Sequence, residues 1–484
     1  MPISVSLSPL LRRRTKIVAT LGPASSSADI IARLIDAGVD VFRMNMSHGD
    51  HAGHTTVFST IRDVAANKDK PVAVLADLCG PKIRAGRFAG GSVELPTGAT
   101  VVVTTREVEG TAELIPSQYE HLASDVQSGN RILLDDGNLE LRVERVAGTE
   151  ITCTVTVGGT LKDRKGMNLP GVNVSAPSLT AKDREDARFV AGLGVDFIAL
   201  SFVRRQEDVL ELRELLQEVG STAAMVAKIE KPEALDAIES ILDVSDAIMI
   251  ARGDLGVELP AERVPVAQSQ LIDLARARRK PVIVATQMLE SMITHPRPTR
   301  AEVSDVATAV FGSADAVMLS AETASGRYPV EAVSMMDRVA RDAEGYQWER
   351  GAFGDPPASL GTPGTMTVED AVARAAAGVS RGLMVRAIVV FSSTGRSASI
   401  VSAWRPQAPI LAASVNERTC RRLMLSWGTV PIMRTELAPG EFSSAARHLA
   451  REAGLAQSGD FILQVSGFQV DPATNEPAVT VLQV

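Results

Sequence analysis

Aromatic residues are scarce in this sequence. Phe, Trp and Tyr together make 4% of 484 residues, whereas apolar residues make 45%. Its cores must therefore be built from Val, Ile, Leu and Ala, as in α/β proteins. Cysteine is nearly missing too. Cys79, Cys153 and Cys420 are odd in number and far apart, which excludes a disulfide framework and a zinc knuckle and points to a reducing compartment. No apolar run reaches the roughly 20 residues that cross a bilayer. The opening "MPISVSLSPLLRRRTK" places its arginines after the short apolar patch, the reverse of a secretory signal. A cytoplasmic protein without a membrane partner is the expectation. An excess of positive charge is also lacking: the formal charge is -8, which argues against nucleic acid as a partner.

What is present is alternation. Apolar runs at 16–22, 39–49, 71–80, 195–203, 223–230, 246–254, 281–288 and 314–323 are separated by amphipathic helical stretches such as "SADIIARLIDAG" and "VAQSQLIDLARARRK". Near-continuous apolar runs suit parallel strands buried on both faces. Eight strand–helix units closed by a helix at 330–344 predict a (β/α)8 TIM barrel formed by 1–80 and 178–346. Between them, 81–177 reads as short alternating strands with Gly-rich turns, a small inserted β domain. A Pro/Gly-rich linker at 348–366 precedes an open-sheet α/β domain, so that 347–484 form the third unit.

In barrels of this type chemistry gathers at the C-terminal ends of the strands. Those ends carry Arg43, Asn45, Ser47 and His48, then Asp77, Ser201, Lys228, Glu230, Arg252, Gly253, Asp254, Thr286, Ser320 and Glu322. Lys228 and Glu230 share one strand face, and Asp254 ends the next strand. Two such carboxylates suit Mg²⁺, which takes one or two and leaves its other positions to water or substrate. Lys228 would face the same anion; the alternative is a structural Lys–Glu ion pair. Gly253 opens a turn that could aim N–H groups at a carboxylate, or it is an ordinary βα turn. Thr286 alone reads as a cap. His48, His51 and His54 are spaced by three, but they read as the start of a polar helix face rather than a metal cluster. Ser392, Ser393, Thr394, Gly395, Arg396 and Ser397 lie between a strand and a helix; they form either a phosphate cradle or a capped helix start.

The stretches "TKIVATLGPAS", "FRMNMSHG", "KIE", "ARGDLGVELP", "ATQMLESM", "PTRAEVSDVATAV" and "MLSAETASGRYPVEAV" run in order along the chain and together resemble pyruvate kinase. The resemblance implies a catalytic barrel, a small β-barrel lid inserted after the third strand, and a C-terminal regulatory domain. It implies glycolytic phosphoryl transfer from phosphoenolpyruvate to ADP, giving pyruvate and ATP, in an allosteric homotetramer. It also implies residue roles. Glu230 and Asp254 would hold Mg²⁺ or Mn²⁺. Lys228 would stabilise the phosphoryl group in flight, and Arg43 would hold the phosphate. Gly253, Asp254 and Thr286 would bind the substrate carboxylate, with Thr286 also placed to relay a proton. Asn45, His48, Arg84 and Lys165 would contact the nucleotide phosphates.

One stretch departs from the pattern. Where many family members read "DTKGPEIR" and need K⁺, this chain reads "DLCGPKIR" at 77–84. The K⁺ ligands would match Asn45, Ser47, Asp77 and the residue at Leu78, and Lys82 replaces an acid. An ammonium there would stand in for K⁺, so K⁺ is not expected to be required. The loop at 392–397 fits an effector phosphate, whereas "SGFQVDPATNEPAVTVLQV" does not match the fructose 1,6-bisphosphate loop of some members; a phosphorylated effector of open identity is expected. Two rivals remain at this stage: a Mg²⁺-dependent lyase or aldolase that forms a pyruvate enolate on a related barrel, and a non-catalytic phosphate sensor.

Overall fold

A computed structural model describes residues 13–351, 353, 366–434, 441–469, 471 and 473–484. Eight parallel strands close a barrel: Lys16–Leu21, Val41–Asn45, Ala73–Asp77, Phe197–Leu200, Ala224–Ile229, Ala247–Ala251, Val282–Ala285 and Ala316–Leu319. Around the ring the first strand pairs with the eighth and the second. Each expected strand is present but shorter at its C-terminal end, where the chain turns into the loops that carry the polar ring. One such difference is at 252–254, which open the helix Arg252–Glu258 instead of ending a strand. Two glycines in seven residues give that helix poor intrinsic propensity, so nothing in its composition announces it.

The period of two explains the interior. Val18, Val41, Leu75, Ala199, Val226 and Met249 point to the axis and are almost fully buried. Their sequence neighbours Ile17, Phe42, Ala76, Ile198, Ala227 and Ile248 pack outward under the helices. Four of the surrounding helices start with side-chain caps, from Ser27, Asp50, Thr180 and Thr299; Thr180 and Thr299 form capping boxes with Asp183 and Glu302.

The segment between the third and fourth barrel strands forms a six-stranded sheet and a separate strand pair, Ser92–Leu95 with Gly159–Lys162. It has its own core, including Val103, Ile132, Leu141 and Cys153. Its main sheet is open rather than closed on itself. The expected linker at 348–366 lies largely outside the described residues. Beyond it stands a five-stranded sheet in the order Thr429–Met433, Ile410–Ser414, Ile388–Phe391, Phe461–Ser466, Ala478–Gln483, with only the last strand antiparallel.

This third unit docks under the barrel, at the N-terminal ends of the strands. Leu425 enters the barrel's interior core and is fully buried. Arg405 pairs with Asp315 at 2.8 Å. Arg421 pairs at 2.8 Å with Asp196, a fully buried carboxylate that also receives Arg62 at 2.7 Å and the Val74 N–H at 2.8 Å. Because two partners would remain, Arg421→Gln should cost only about 1.5–3 kcal/mol, the worth of one charge-assisted bond. Thermal unfolding of the variant checks this, and an unchanged midpoint would remove Arg421 from the docking argument.

Candidate active site

The alternation that fills the barrel with Ala and Val also builds the site. Continuing each inward-facing row toward the C-terminal end gives Thr20 above Val18, Arg43 above Val41, Asp77 above Leu75, Ser201 above Ala199, and Lys228 above Val226. Five strands thus deliver five polar side chains to one spot on the axis. Lys228 Nζ donates to Ser201 Oγ at 2.6 Å and lies 2.8 Å from Glu230 and 3.3 Å from Asp77. Arg43 Nε donates to the other Asp77 oxygen at 2.6 Å, and its Nη1 donates to Thr20 Oγ1 at 3.0 Å. Ser201 Oγ donates in turn to the Leu78 carbonyl at 2.7 Å.

The charges set one another. Burial alone would lower the pKa of Lys228, but the carboxylates of Asp77 and Glu230 outweigh it and hold the ammonium charged above the ordinary lysine range. Burial would raise Asp77, but Lys228 and Arg43 outweigh it and keep its carboxyl below the usual range. Glu230 goes the other way: burial raises it, Lys228 opposes, and the nearby charge of Asp254 adds to the rise. Two carboxylates that repel each other, one just past the fifth strand and buried, the other in the helix that follows the sixth, form a hard-oxygen set suited to a divalent cation such as Mg²⁺. The donor chemistry therefore fits the expected metal. Among the described residues no three His, Cys, Asp or Glu gather into a metal-holding group. His51 instead meets Asp186 at 2.8 Å and stacks on Phe189 at 3.9 Å, so a carboxylate does face it, supplied from 135 residues away.

The seventh strand ends in strain. Thr286 and Gln287 both have positive φ, 68° and 54°, a conformation costly for residues with a side chain. Arg252 over-determines that turn: Nη2 donates to the Thr286 carbonyl at 2.7 Å and the Gln287 carbonyl at 3.2 Å, while Nη1 meets Asp305 at 2.6 Å. Thr286 Oγ1 accepts the Gly253 N–H at 2.7 Å and donates to the Ala285 carbonyl at 2.6 Å. Gly253 and Thr286 are thus brought together, and the Gly253 N–H is engaged by Thr286 itself.

The remaining expected residues separate into groups. Arg84 and Lys165 lie on adjoining inserted segments: Arg84 bridges to Gly166, and Lys165 pairs with Asp135 at 2.6 Å. Asn45 Oδ1 accepts the Ser47 N–H at 3.1 Å, and the His48 carbonyl lies 2.9 Å from His54 Nε2. Lys82 is exposed and lines the cleft between barrel mouth and insert, with Asp254, Lys231 and Phe202. Both Asp77 oxygens go to Arg43 and Lys228 rather than to Lys82. In the third unit, Gly395 adopts φ 86°, Ser392 Oγ accepts the Gly395 N–H at 3.0 Å, and Arg396 pairs with Glu369 at 3.1 Å. Glu322, in the polar ring by sequence, accepts the N–H groups of Leu289 and Ser320 and is structural.

Sequence reasoning missed three roles. Ser201 was in the ring, but its grip on Lys228 depends on the stacking of neighbouring strands. Thr20 carried no signal beyond lying in an apolar run. Arg252 was visible only as one more strand-end arginine.

Comparison with known proteins agrees with this geometry. Residues 12–333 match the family described as pyruvate kinase, barrel domain, and residues 370–479 match pyruvate kinase, alpha/beta domain. The chain is 45% identical over 462 residues to pyruvate kinase 2 of Synechocystis, covering 94% of this chain and 77% of the relative. It is 45% identical over 458 residues to a pyruvate kinase of Staphylococcus aureus, covering 94% and 78%. A crystal structure of a pyruvate kinase from Cryptosporidium parvum superposes with a TM-score of 0.90 at 36% identity, covering 98% of this chain and 97% of that one. The fold, the strand-end constellation and these relatives agree, and the chain belongs to the pyruvate kinase family.

Proposed function

We propose that this chain transfers the phosphoryl group of phosphoenolpyruvate to ADP at the axial cluster, and that Lys228, clamped by Ser201, Asp77 and Glu230 beside Arg43, carries the step. That clamp is the observation on which the reading rests. It presents two fixed cations where a phosphoryl group develops charge, and phosphoryl transfer is catalysed chiefly by positioning and charge neutralisation. The bond from phosphorus to the enol oxygen breaks as one to a terminal ADP oxygen forms, and the enolate carbon then takes a proton. Arg43 and Lys228 hold the phosphoryl oxygens. Thr286, oriented by its bonds to Gly253 and Ala285, stands at the carboxylate end and relays the proton. Glu230 and Asp254 would hold Mg²⁺, which when bound supplies charge neutralisation. Asn45, His48, Arg84 and Lys165 contact the nucleotide. Residues 81–177 act as a lid that excludes water from the transfer, on the 1–80 and 178–346 barrel, with 347–484 regulatory.

The test is direct: pyruvate and ATP measured together from phosphoenolpyruvate, ADP and Mg²⁺. Equal amounts of both, abolished by chelating the metal, support the reading; pyruvate chemistry without ATP would end it.

Three finer features belong to the same reading. The enzyme works without K⁺. It is a cytoplasmic homotetramer; no helix among the described residues is long and apolar enough to cross a membrane, and sedimentation would give the subunit number. The loop 392–397 binds a phosphorylated effector, whose phosphate would compete with Glu369 for Arg396. At low phosphoenolpyruvate, a sugar phosphate or AMP is expected to raise the rate several-fold, and Arg396→Ala should remove the response while leaving the basal rate. No response to any of them would reduce the loop to a helix start.

A further inference from the structure

The insert leaves the barrel after Asp77 and returns before the helix Ala181–Leu193. Both stems meet one buried side chain. Asp183 is fully buried. Its Oδ1 accepts the N–H of Gly80 on the outgoing stem at 3.1 Å. Its Oδ2 accepts the N–H of Thr180 on the returning stem at 3.0 Å and the Thr180 hydroxyl at 2.5 Å. The two oxygens of one carboxylate thus serve two chain segments a hundred residues apart in sequence.

The stems also converge on Phe202. Gly80 has φ 69°, and a Cβ there would lie 2.7 Å from the Phe202 ring and 2.9 Å from Ser201 Cβ. From the other stem, Ser178 Oγ donates to the Phe202 carbonyl at 2.9 Å. Phe202 itself has φ 54°, a left-handed conformation for a bulky residue. Its N–H donates to Glu230 at 2.7 Å, and its neighbour Ser201 holds Lys228 at 2.6 Å. Movement of either stem therefore bears on the residues that place Lys228 and Glu230.

We propose that Asp183 is the hinge pin of the insert, a positioning residue that ties its two stems to each other and, through Gly80, Ser178 and Phe202, to the cluster around Lys228. The inference rests on the reading that 81–177 cover the site. Asp183→Asn keeps the volume but has one acceptor oxygen, so its amide group must face one of the two stem N–H donors. One stem is released. The cover then fits loosely: the KM for ADP rises about 5- to 10-fold, more than kcat falls. Water also reaches the phosphoryl group, so phosphoenolpyruvate and water give pyruvate and inorganic phosphate, and pyruvate exceeds ATP.

A helix cap alone would not move that ratio. Thr180→Ala removes the cap hydroxyl and leaves both Asp183-to-backbone bonds; it should lower the melting temperature with pyruvate and ATP still equal. Ser178→Ala, which loses one hydrogen bond, reads the same excess to a smaller degree should the Asn variant not fold. Lys165→Met separates the two layers of the argument. If it leaves the KM for ADP unchanged, the lid reading fails. If it raises that KM while Asp183→Asn and Ser178→Ala keep pyruvate and ATP equal, the lid stands and the hinge pin is overturned.

Discussion

Lys228→Met should lower kcat by at least about 10³-fold while leaving a folded protein. The ammonium is held by three oxygens, from Ser201, Asp77 and Glu230, on a side chain that is only 12% exposed. A preorganised donor in such a site typically contributes two to three orders of magnitude, about 2.7–4 kcal/mol, and here the donor is a full charge. The loss should appear in kcat more than in the KM for phosphoenolpyruvate, because on the proposed roles Arg43 would still hold the phosphate in the ground state. Arginine is no substitute: its planar fork is larger than an ammonium and cannot fill a three-oxygen pocket of this size. The variant also leaves Asp77 and Glu230 without their shared cation. Glu230, whose pKa burial and Asp254 already raise, should rise further. A carboxyl with a raised folded-state pKa adds stability below its unfolded value and loses it as pH climbs through the folded one. Lys228→Met should therefore be less destabilised near pH 5 than near pH 8, which thermal melts at the two values would show. A variant that keeps a tenth of wild-type kcat would remove Lys228 from the transfer step.

How legible was this site? The eight apolar runs gave the barrel, because strands buried on both faces are nearly uninterrupted in composition. The inward period of two then placed Lys228 and Glu230 on one face, and Arg43 and Asp77 at strand ends. What composition could not show was which strand end faces which. Ser201 grips Lys228 only because the fourth and fifth strands are neighbours in the ring. Arg252 looks like a ligand-binding cation, yet it turns back to hold the strained 286–287 turn. Asp183 sits in a helix whose local pattern reads as a capping box, and its second bond, to Gly80, reaches across 103 residues. His51 and Asp186 likewise meet from distant segments. These pairings arise from tertiary closure, and single-chain periodicity holds no record of them.

On the proposal that Lys82 makes K⁺ dispensable, Lys82→Glu should make the rate depend on K⁺. In K⁺-free buffer the variant's rate should fall roughly 10²-fold, about 2.7 kcal/mol of barrier, and K⁺ should restore most of it, while the unaltered protein responds to K⁺ by less than a factor of two. Lys82 is not a partner of Asp77; it stands exposed on the wall of the cleft that Asp254 also lines. Its charge therefore faces the cleft and is not a ligand of that carboxylate. The candidate K⁺ ligands are already engaged: Asp77 by Arg43 and Lys228, Asn45 Oδ1 by the Ser47 N–H, and the Leu78 carbonyl by Ser201. An added cation would have to displace these bonds. Reversing the charge at 82 replaces a cation on the cleft wall with an acid that attracts one. Assays in K⁺-free tetramethylammonium buffer decide between the two states. If the unaltered enzyme gains tenfold or more on adding K⁺, Lys82 does not replace the ion, and the exposed ammonium has some other use at the root of the lid.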